Sequence, residues 1–261
     1  MRHVNYDQIA SQYNQRYRDN PLGGIEKALV RLIRGSNAQS IIEIGCGTGR
    51  WLAGLAKNFP QAHIYGLDSS CGMLTEAQRR PESPELIRGK ASHLPLKAGS
   101  FDLVFCVNAL HHFDDPQEFV AQAQELLKAG GILAIIGQVP HDRRNRWYVY
   151  DYFEGIYEMD LRRFPSWGAI LDWMVASGFW QIYWEPVEWI SDDKIGWSVL
   201  EDPFLQKHAT SQLALLDEEA YILGIEKIKA ALREAETCGK ELSFKAQLRL
   251  DMLTGVIHKD G

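Results

Sequence analysis

The sequence has no excess of basic charge: 28 lysines and arginines stand against 34 aspartates and glutamates over 261 residues, a formal charge of −6. That balance argues against nucleic acid as a partner. Cysteine is scarce. Cys46, Cys71, Cys106 and Cys238 are scattered without the spacing of a metal site, so free thiols, a cytoplasmic setting and no metal are expected. No apolar run approaches the roughly 20 residues that span a bilayer, which excludes a membrane-spanning helix. The start, Met1-Arg2-His3-Val4-Asn5, lacks the apolar core of a signal peptide. Repeats and low-complexity stretches are absent too. What the chain does have is 46% hydrophobic residues, which suits one large α/β domain or one domain with an insertion.

The most informative stretch runs from Ser40 to Arg50. Ile41, Ile42 and Ile44 are β-branched and read as a buried strand. Gly45, Gly47 and Gly49 follow, and Trp51 to Asn58 has helical character. A strand, a glycine turn and a helix N-terminus together can hold the polar parts of a nucleotide-like ligand. The dinucleotide fingerprint G-x-G-x-x-G would need its third glycine at residue 50, which is Arg50. That counts against a nicotinamide-dependent oxidoreductase.

From Glu43 the chain instead reads E-x-G-x-G-x-G, which resembles motif I of the class I S-adenosylmethionine (SAM)-dependent methyltransferases. The resemblance implies SAM as cofactor, S-adenosylhomocysteine as product, and a ligand cleft at Gly45, Cys46, Gly47, Thr48 and Gly49. Glu43 would hold the cationic amino-acid end of SAM, directly or through water. Asp68 ends the next strand, His63 to Asp68, 19 residues after Gly49, the usual distance to a carboxylate on ribose hydroxyls. As a bare acid before Ser69 and Ser70 it also reads as a helix cap. Asp68 to Leu74 resembles the family's D-x-S-x-x-M-L, which brings Ser69 to the cofactor and places Met73 against adenine.

Gly89 to Leu96 resembles the family's G-D-A-x-x-L-P-F, but Lys90 stands where the family has its acid. Adenine would then be read around Ala91 and Ser92. Ser100 to Phe113 resembles F-D-x-V-x-x-x-x-x-L-H-H, which puts Asn108 and Ala109 beside the methionine end of SAM and His111 and His112 near the methyl acceptor. The adjacent histidines have no third ligand at suitable spacing. At the N-terminus, Tyr6, Ile9, Ala10, Tyr13 and Tyr17 share a helical face over residues 4–18. The pattern Y-D-x-x-A-x-x-Y resembles the family's lid helix, with Tyr6 and Tyr13 over the cofactor and Arg18 toward its carboxylate. Tyr13, His111 and His112 are the candidate bases or positioning groups.

Beyond residue 138 the chain is more individual. Trp147, Tyr148, Tyr150, Tyr152, Phe153, Tyr157, Phe164 and Trp167 crowd into 21 positions. They read either as core beneath a helical cover or as an acceptor pocket, with His112, Trp147, Tyr148, Tyr152, Phe153 and Tyr157 as its candidates. Arg143, Arg144, Arg146, Arg162 and Arg163 suit an anionic acceptor or a solvated face. Residues 241–253 alternate apolar and polar and read as a half-exposed strand. The resemblance implies a Rossmann-like α/β fold with helices on both faces of a seven-stranded, mostly parallel sheet. Its order is 3-2-1-4-5-7-6, with strand seven antiparallel. Residues 1–138 would be the SAM-binding core with its lid helices. Residues 139–261 would be an acceptor-side half, with a helical cover at 191–238 inserted between strands six and seven. The expected reaction is methyl transfer by in-line displacement to an N, O, S or C nucleophile of a small molecule, in a monomer or homodimer. A non-enzymic SAM-binding protein of the same fold is the alternative.

Overall fold

The computed structural model describes residues 4–11, 13–14, 22–81, 84–142 and 144–258. The tyrosine spacing predicts one helix over 4–18. The structure has a single turn, α1 (Tyr6–Ile9), then a separate short turn at Tyr13 and Asn14. Arg18 and Arg143 lie outside the described residues. α2 (Gly23–Ser36) buries Ile25, Ala28, Leu29 and Ile33 at helical spacing. β1 (Ser40–Ile44) is buried at its last four positions. It leads into α3 (Arg50–Asn58), β2 (His63–Asp68), α4 (Cys71–Gln78) and β3 (Glu85–Arg88). Both faces of β4 (Phe101–Val107) are covered, as a continuous apolar run requires.

α5 (Pro116–Leu126) starts on a proline after Asp115, whose carboxylate accepts from the Glu118 amide at 3.0 Å. The sequence predicts that this helix runs to Ala129 and that the next strand begins at Ile132. The chain instead turns extended at Leu127, because Leu127 pairs with Phe101, and β5 spans Leu127–Gly137. The remaining elements are β6 (Arg146–Trp147), α6 (Val149–Tyr152), α7 (Ile156–Arg163), α8 (Trp167–Ala176), β7 (Phe179–Ser191), β8 (Lys194–Ile195), α9 (Ser211–Ala214), α10 (Glu218–Thr237), β9 (Ser243–Phe244) and β10 (Ala246–Ile257). Asp217 caps α10 by accepting from the Ala220 amide at 2.9 Å.

The main sheet has the order β3-β2-β1-β4-β5-β10, with β7 on the far edge of β10. β10 runs antiparallel to both neighbours, so the expected 3-2-1-4-5-7-6 order is the one observed. The two-residue β6 also pairs with β10, at Ala246 and Gln247. One apolar layer lies beneath α5 and α8, and a second beneath α2 and α3. A third cluster, around Trp147, Tyr148, Phe153, Ile228 and Phe244, belongs to the segment between β7 and β10 and its neighbours.

The expectation of a half-exposed last strand is corrected. Leu242 lies outside β10, and Arg249 and Asp251, on the polar side of the alternation, are buried. Both faces of β10 are covered, which its place between β5 and β7 does not by itself require. Arg249 meets this by pairing with Asp251 at 2.7 Å and lying near the rings of Trp184 and Trp189. None of the described helices is long and apolar enough to cross a membrane.

Candidate active site

The carboxyl ends of β1, β2 and β4 meet at the glycine turn. Gly45 has φ +73°, and a Cβ there would stand 2.7 Å from Cβ of Ala109. The turn can therefore press against the end of β4 only with glycine at that position. Gly47, with φ +53°, has nothing within 4 Å of where its Cβ would project. That open space belongs to a cleft of about 350 Å³. Asp68 stands on its wall at the end of β2. One carboxylate oxygen accepts the Gly47 amide and the other the Ser70 amide, each at 2.8 Å. A carboxylate has about four acceptor sites, more than these amides fill, so capacity remains for a hydroxyl of a ligand. Burial raises the Asp68 pKa against the lowering effect of these amides.

The cleft gathers Tyr6, Tyr13, Gly45, Gly47, Asp68, Ser69, Met73, Ala91, Ser92, Asn108 and Ala109 from the sequence-predicted set. Four others lie elsewhere. Glu43 is 1% exposed behind the turn, and its Oε2 has no partner among the described residues. Burial first, and then the nearby Asp68, push its carboxyl well above the usual range. The Cys46 thiol is buried and its pKa is likewise pushed up, chiefly by burial. Thr48 turns away and donates to Asn14 Oδ1 at 2.8 Å. Gly49 packs the turn onto α4, where a Cβ would lie 3.0 Å from Ala77.

The N-terminal segment closes one side of the cleft. Asp7, which sequence reasoning passed over, accepts from the Ser70 hydroxyl at 2.6 Å and the Gly72 amide at 2.7 Å. Those bonds fasten α1 to the start of α4, while Asn14 fastens the next turn to Thr48. On the opposite rim, Lys90 meets Asp114 at 3.3 Å, and both line the cleft. A carboxylate thus stands beside the position where the resemblance lacks one.

A second cavity, of about 130 Å³, adjoins the first, and Tyr6, Tyr13, Asn108 and His112 line both. Both histidines line the second cavity, but only His112 also lines the first. His112 Nε2 lies 2.7 Å from the Tyr6 hydroxyl, whereas the His111 ring stacks on Phe164 at 3.8 Å between centroids. Among the expected pocket aromatics, His112 and Trp147 line the second cavity. Tyr148, Tyr152, Phe153 and Tyr157 do not. Tyr148 is buried and donates to Asp202 at 2.7 Å, and Tyr152 packs on Phe244. Phe153 is fully buried against α10, and Tyr157 meets Tyr150 beside a separate groove. The physical reason is that the cover needs a core of its own.

Sequence reasoning missed Gln138, Asp192, Asp202, Phe204 and Gln212, which also line the second cavity. Gln138 directly follows β5, and the strand-end rule for open α/β sheets could have found it. The others follow β7, Gln212 on the single turn α9 and the rest outside the labelled elements, where no periodicity marks them. Beneath the cavity lies a buried network. Asp160 accepts from Tyr150 at 2.9 Å and Gln212 at 2.8 Å and pairs with Arg163 at 3.3 Å. Burial nevertheless lifts its pKa to about 6.

Comparison with known proteins agrees with this geometry. Residues 42–135 match the family described as methyltransferase domain. The chain is 39% identical over 102 residues to a trans-aconitate 2-methyltransferase of Deinococcus radiodurans, covering 39% of each chain. It is 30% identical over 152 residues to a demethylmenaquinone methyltransferase of Thermotoga maritima, covering 57% of this chain and 66% of that one. The chain therefore spans less than two thirds of either relative. Among solved structures it resembles phosphoethanolamine N-methyltransferase 2 of Haemonchus contortus in complex with SAM, with a TM-score of 0.59 and 18% identity over 97% of this chain and 57% of that one. The glycine turn, the sheet order and the matched residues agree on one conclusion: residues 42–135 are a methyltransferase domain, and the fold around them resembles that of the class I SAM-dependent methyltransferases.

Proposed function

We propose that the protein is a SAM-dependent methyltransferase acting on a small-molecule acceptor. The observation that carries this reading is the shared wall of the two cavities. One cavity has the glycine turn and a strand-end carboxylate, the other is largely apolar, and they join at Tyr6, Tyr13, Asn108 and His112. The residues fit the donor: open space above Gly47, spare acceptor capacity on Asp68, and Met73 on the cleft wall. Asp68 would hold a ribose hydroxyl and Met73 the adenine face. Lys90, Asp114, Ala91 and Ser92 form the rim near the base. When bound, SAM supplies an electrophilic methyl group on a sulfonium.

The chain's own work is alignment, exclusion of water and, for a protonated acceptor, removal of a proton. The acceptor's nucleophile would approach across the shared wall, in line with the carbon–sulfur bond. His112, with Tyr6 on its Nε2, is the group suited to take the proton. His111 would brace it from the Phe164 stack. The segment over the cleft, tied down by Asp7 and Asn14, would keep water out. Four free cysteines, two of them exposed, fit a reducing compartment such as the cytoplasm.

Calorimetric titration tests the donor. S-adenosylhomocysteine should bind and NAD should not; equal binding, or none of the first, sinks the proposal. Asp68→Ala should weaken S-adenosylhomocysteine by about tenfold, on ~1.5 kcal/mol for one charge-assisted hydrogen bond. Transfer of a labelled methyl to a metabolite extract then separates an enzyme from a SAM-binding protein without activity.

A further inference from the structure

The second cavity has a charge signature. Its wall includes two carboxylates, Asp192 and Asp202, and no described lysine or arginine. The arginines that the sequence offered for an anionic acceptor are engaged elsewhere. Arg144 pairs with Asp142 at 2.6 Å and Arg163 with Asp160 at 3.3 Å, while Arg146 and Arg162 line other grooves. Asp202 is 2% exposed and held in place by the Tyr148 hydroxyl at 2.7 Å and the Phe204 amide at 2.8 Å. Lys194 pairs with Asp192 at 2.7 Å; burial raises the Asp202 carboxyl, and the Tyr148 hydroxyl, the Phe204 amide and the nearby Lys194 oppose that rise. Among the described residues two carboxylates therefore face one ammonium, and the net charge that these three groups place beside the cavity is negative.

A partly buried charge calls for a partner of opposite sign. Trp147, Phe164 and Phe204 add aromatic faces, which attract cations. The volume of about 130 Å³ is close to that of an apolar protein cavity that admits one benzene ring.

We infer that the acceptor is a compact amine carrying about one ring, which enters as its ammonium form and is methylated on nitrogen. This inference rests on the methyl-transfer reading above. The ammonium gives one proton to the Tyr6 hydroxyl as that hydroxyl passes its own to His112 Nε2. The freed lone pair then forms the nitrogen–carbon bond as the carbon–sulfur bond of the sulfonium donor breaks, and the electrons of that bond stay on sulfur. The methylated nitrogen keeps one positive charge, and the proton on His112 leaves to solvent.

The test is calorimetric titration of the S-adenosylhomocysteine complex with benzylamine, benzyl alcohol and benzoate at one pH. Benzylamine should bind at least tenfold tighter than benzyl alcohol, and benzoate weakest of the three. Asp202→Asn should weaken benzylamine at least tenfold while leaving benzyl alcohol within threefold and S-adenosylhomocysteine unchanged. Asp192→Asn, at a less buried position, should show the same pattern with a smaller loss, and it serves if the first variant fails to fold. Benzyl alcohol or benzoate binding as tightly as benzylamine overturns the inference, as does no binding of the amine to the complex. Failure of S-adenosylhomocysteine to bind would sink the methyl-transfer reading instead. The three probes titrated against the free protein would then still rank the cavity by charge.

Discussion

Glu43→Gln should remove one proton from the pH dependence of stability. Glu43 is 1% exposed in the middle of the sheet, its Oε2 has no partner among the described residues, and burial holds its carboxyl well above the ordinary glutamate range. In the unfolded chain the same group ionises at an ordinary glutamate pH. Between the two pKa values the folded state keeps a proton that the unfolded state has released. The stabilising contribution is thus fully present below about 4.5 and falls as pH rises toward the folded pKa, by up to about 1.4 kcal/mol per pH unit. Glutamine has nearly the same shape and cannot ionise, so the variant loses this slope and gains on the wild type as pH rises. Against a total stability of about 5–15 kcal/mol, one or two units of that window are easily measured. Urea unfolding of both proteins from pH 4.5 to 7.5 reads the difference directly. Parallel curves with a constant gap would refute the reasoning, because they would mean that Glu43 titrates alike in both states.

Two further outcomes follow from the same geometry. Gly45→Ala should lower the melting temperature by several degrees, because its Cβ would meet Ala109 at 2.7 Å in a left-handed conformation, whereas Gly47→Ala, with nothing within 4 Å, should lose more ligand affinity than stability; thermal melts and titrations that rank the pair the other way would contradict the assignment of the turn. Tyr6→Phe removes the hydroxyl at 2.7 Å from His112 and should lower methyl transfer about tenfold, shift its pH profile, and change S-adenosylhomocysteine affinity far less; an equal loss in both would mean that Tyr6 acts only in binding.

The donor side of the molecule was legible because its chemistry is local in sequence. The turn at Gly45 and Gly47, Asp68 at the end of β2 and Asn108 at the end of β4 all follow from one rule, that ligands sit at the carboxyl ends of parallel strands. The acceptor side was not, because aromatic residues serve cores and pockets equally well. Tyr148 and Phe153 fill the core of the cover, while Asp192 and Asp202 reach the cavity from irregular chain after β7. The alternation at 241–253 was read as one half-exposed strand, but its first part falls in the short β9 and the strand that starts at Ala246 is largely buried. Period two gives the faces, but only the burial of Arg249 and Asp251 in the folded chain tells that the polar face is covered.

Asp7 shows why even a visible motif can hide its working residue. In Y-D-x-x-A-x-x-Y the tyrosines attract notice, since rings can close over a ligand. The rings need to be held there, and a single turn such as α1 has too few internal hydrogen bonds to hold itself. The carboxylate of Asp7 supplies the hold by accepting from Ser70 and Gly72 at the N-terminus of α4, where backbone donors are unpaired and the helix dipole favours an anion. The Ser70 hydroxyl bond, then the Gly72 amide, lower its pKa, so the tie is present above the ordinary carboxylate range and lost as pH falls through the lowered value. Gly72 is suited to the contact, because a Cβ there would stand 2.9 Å from the Asp7 backbone. Tyr6 therefore reaches His112 because an acid next to it is anchored 65 residues away.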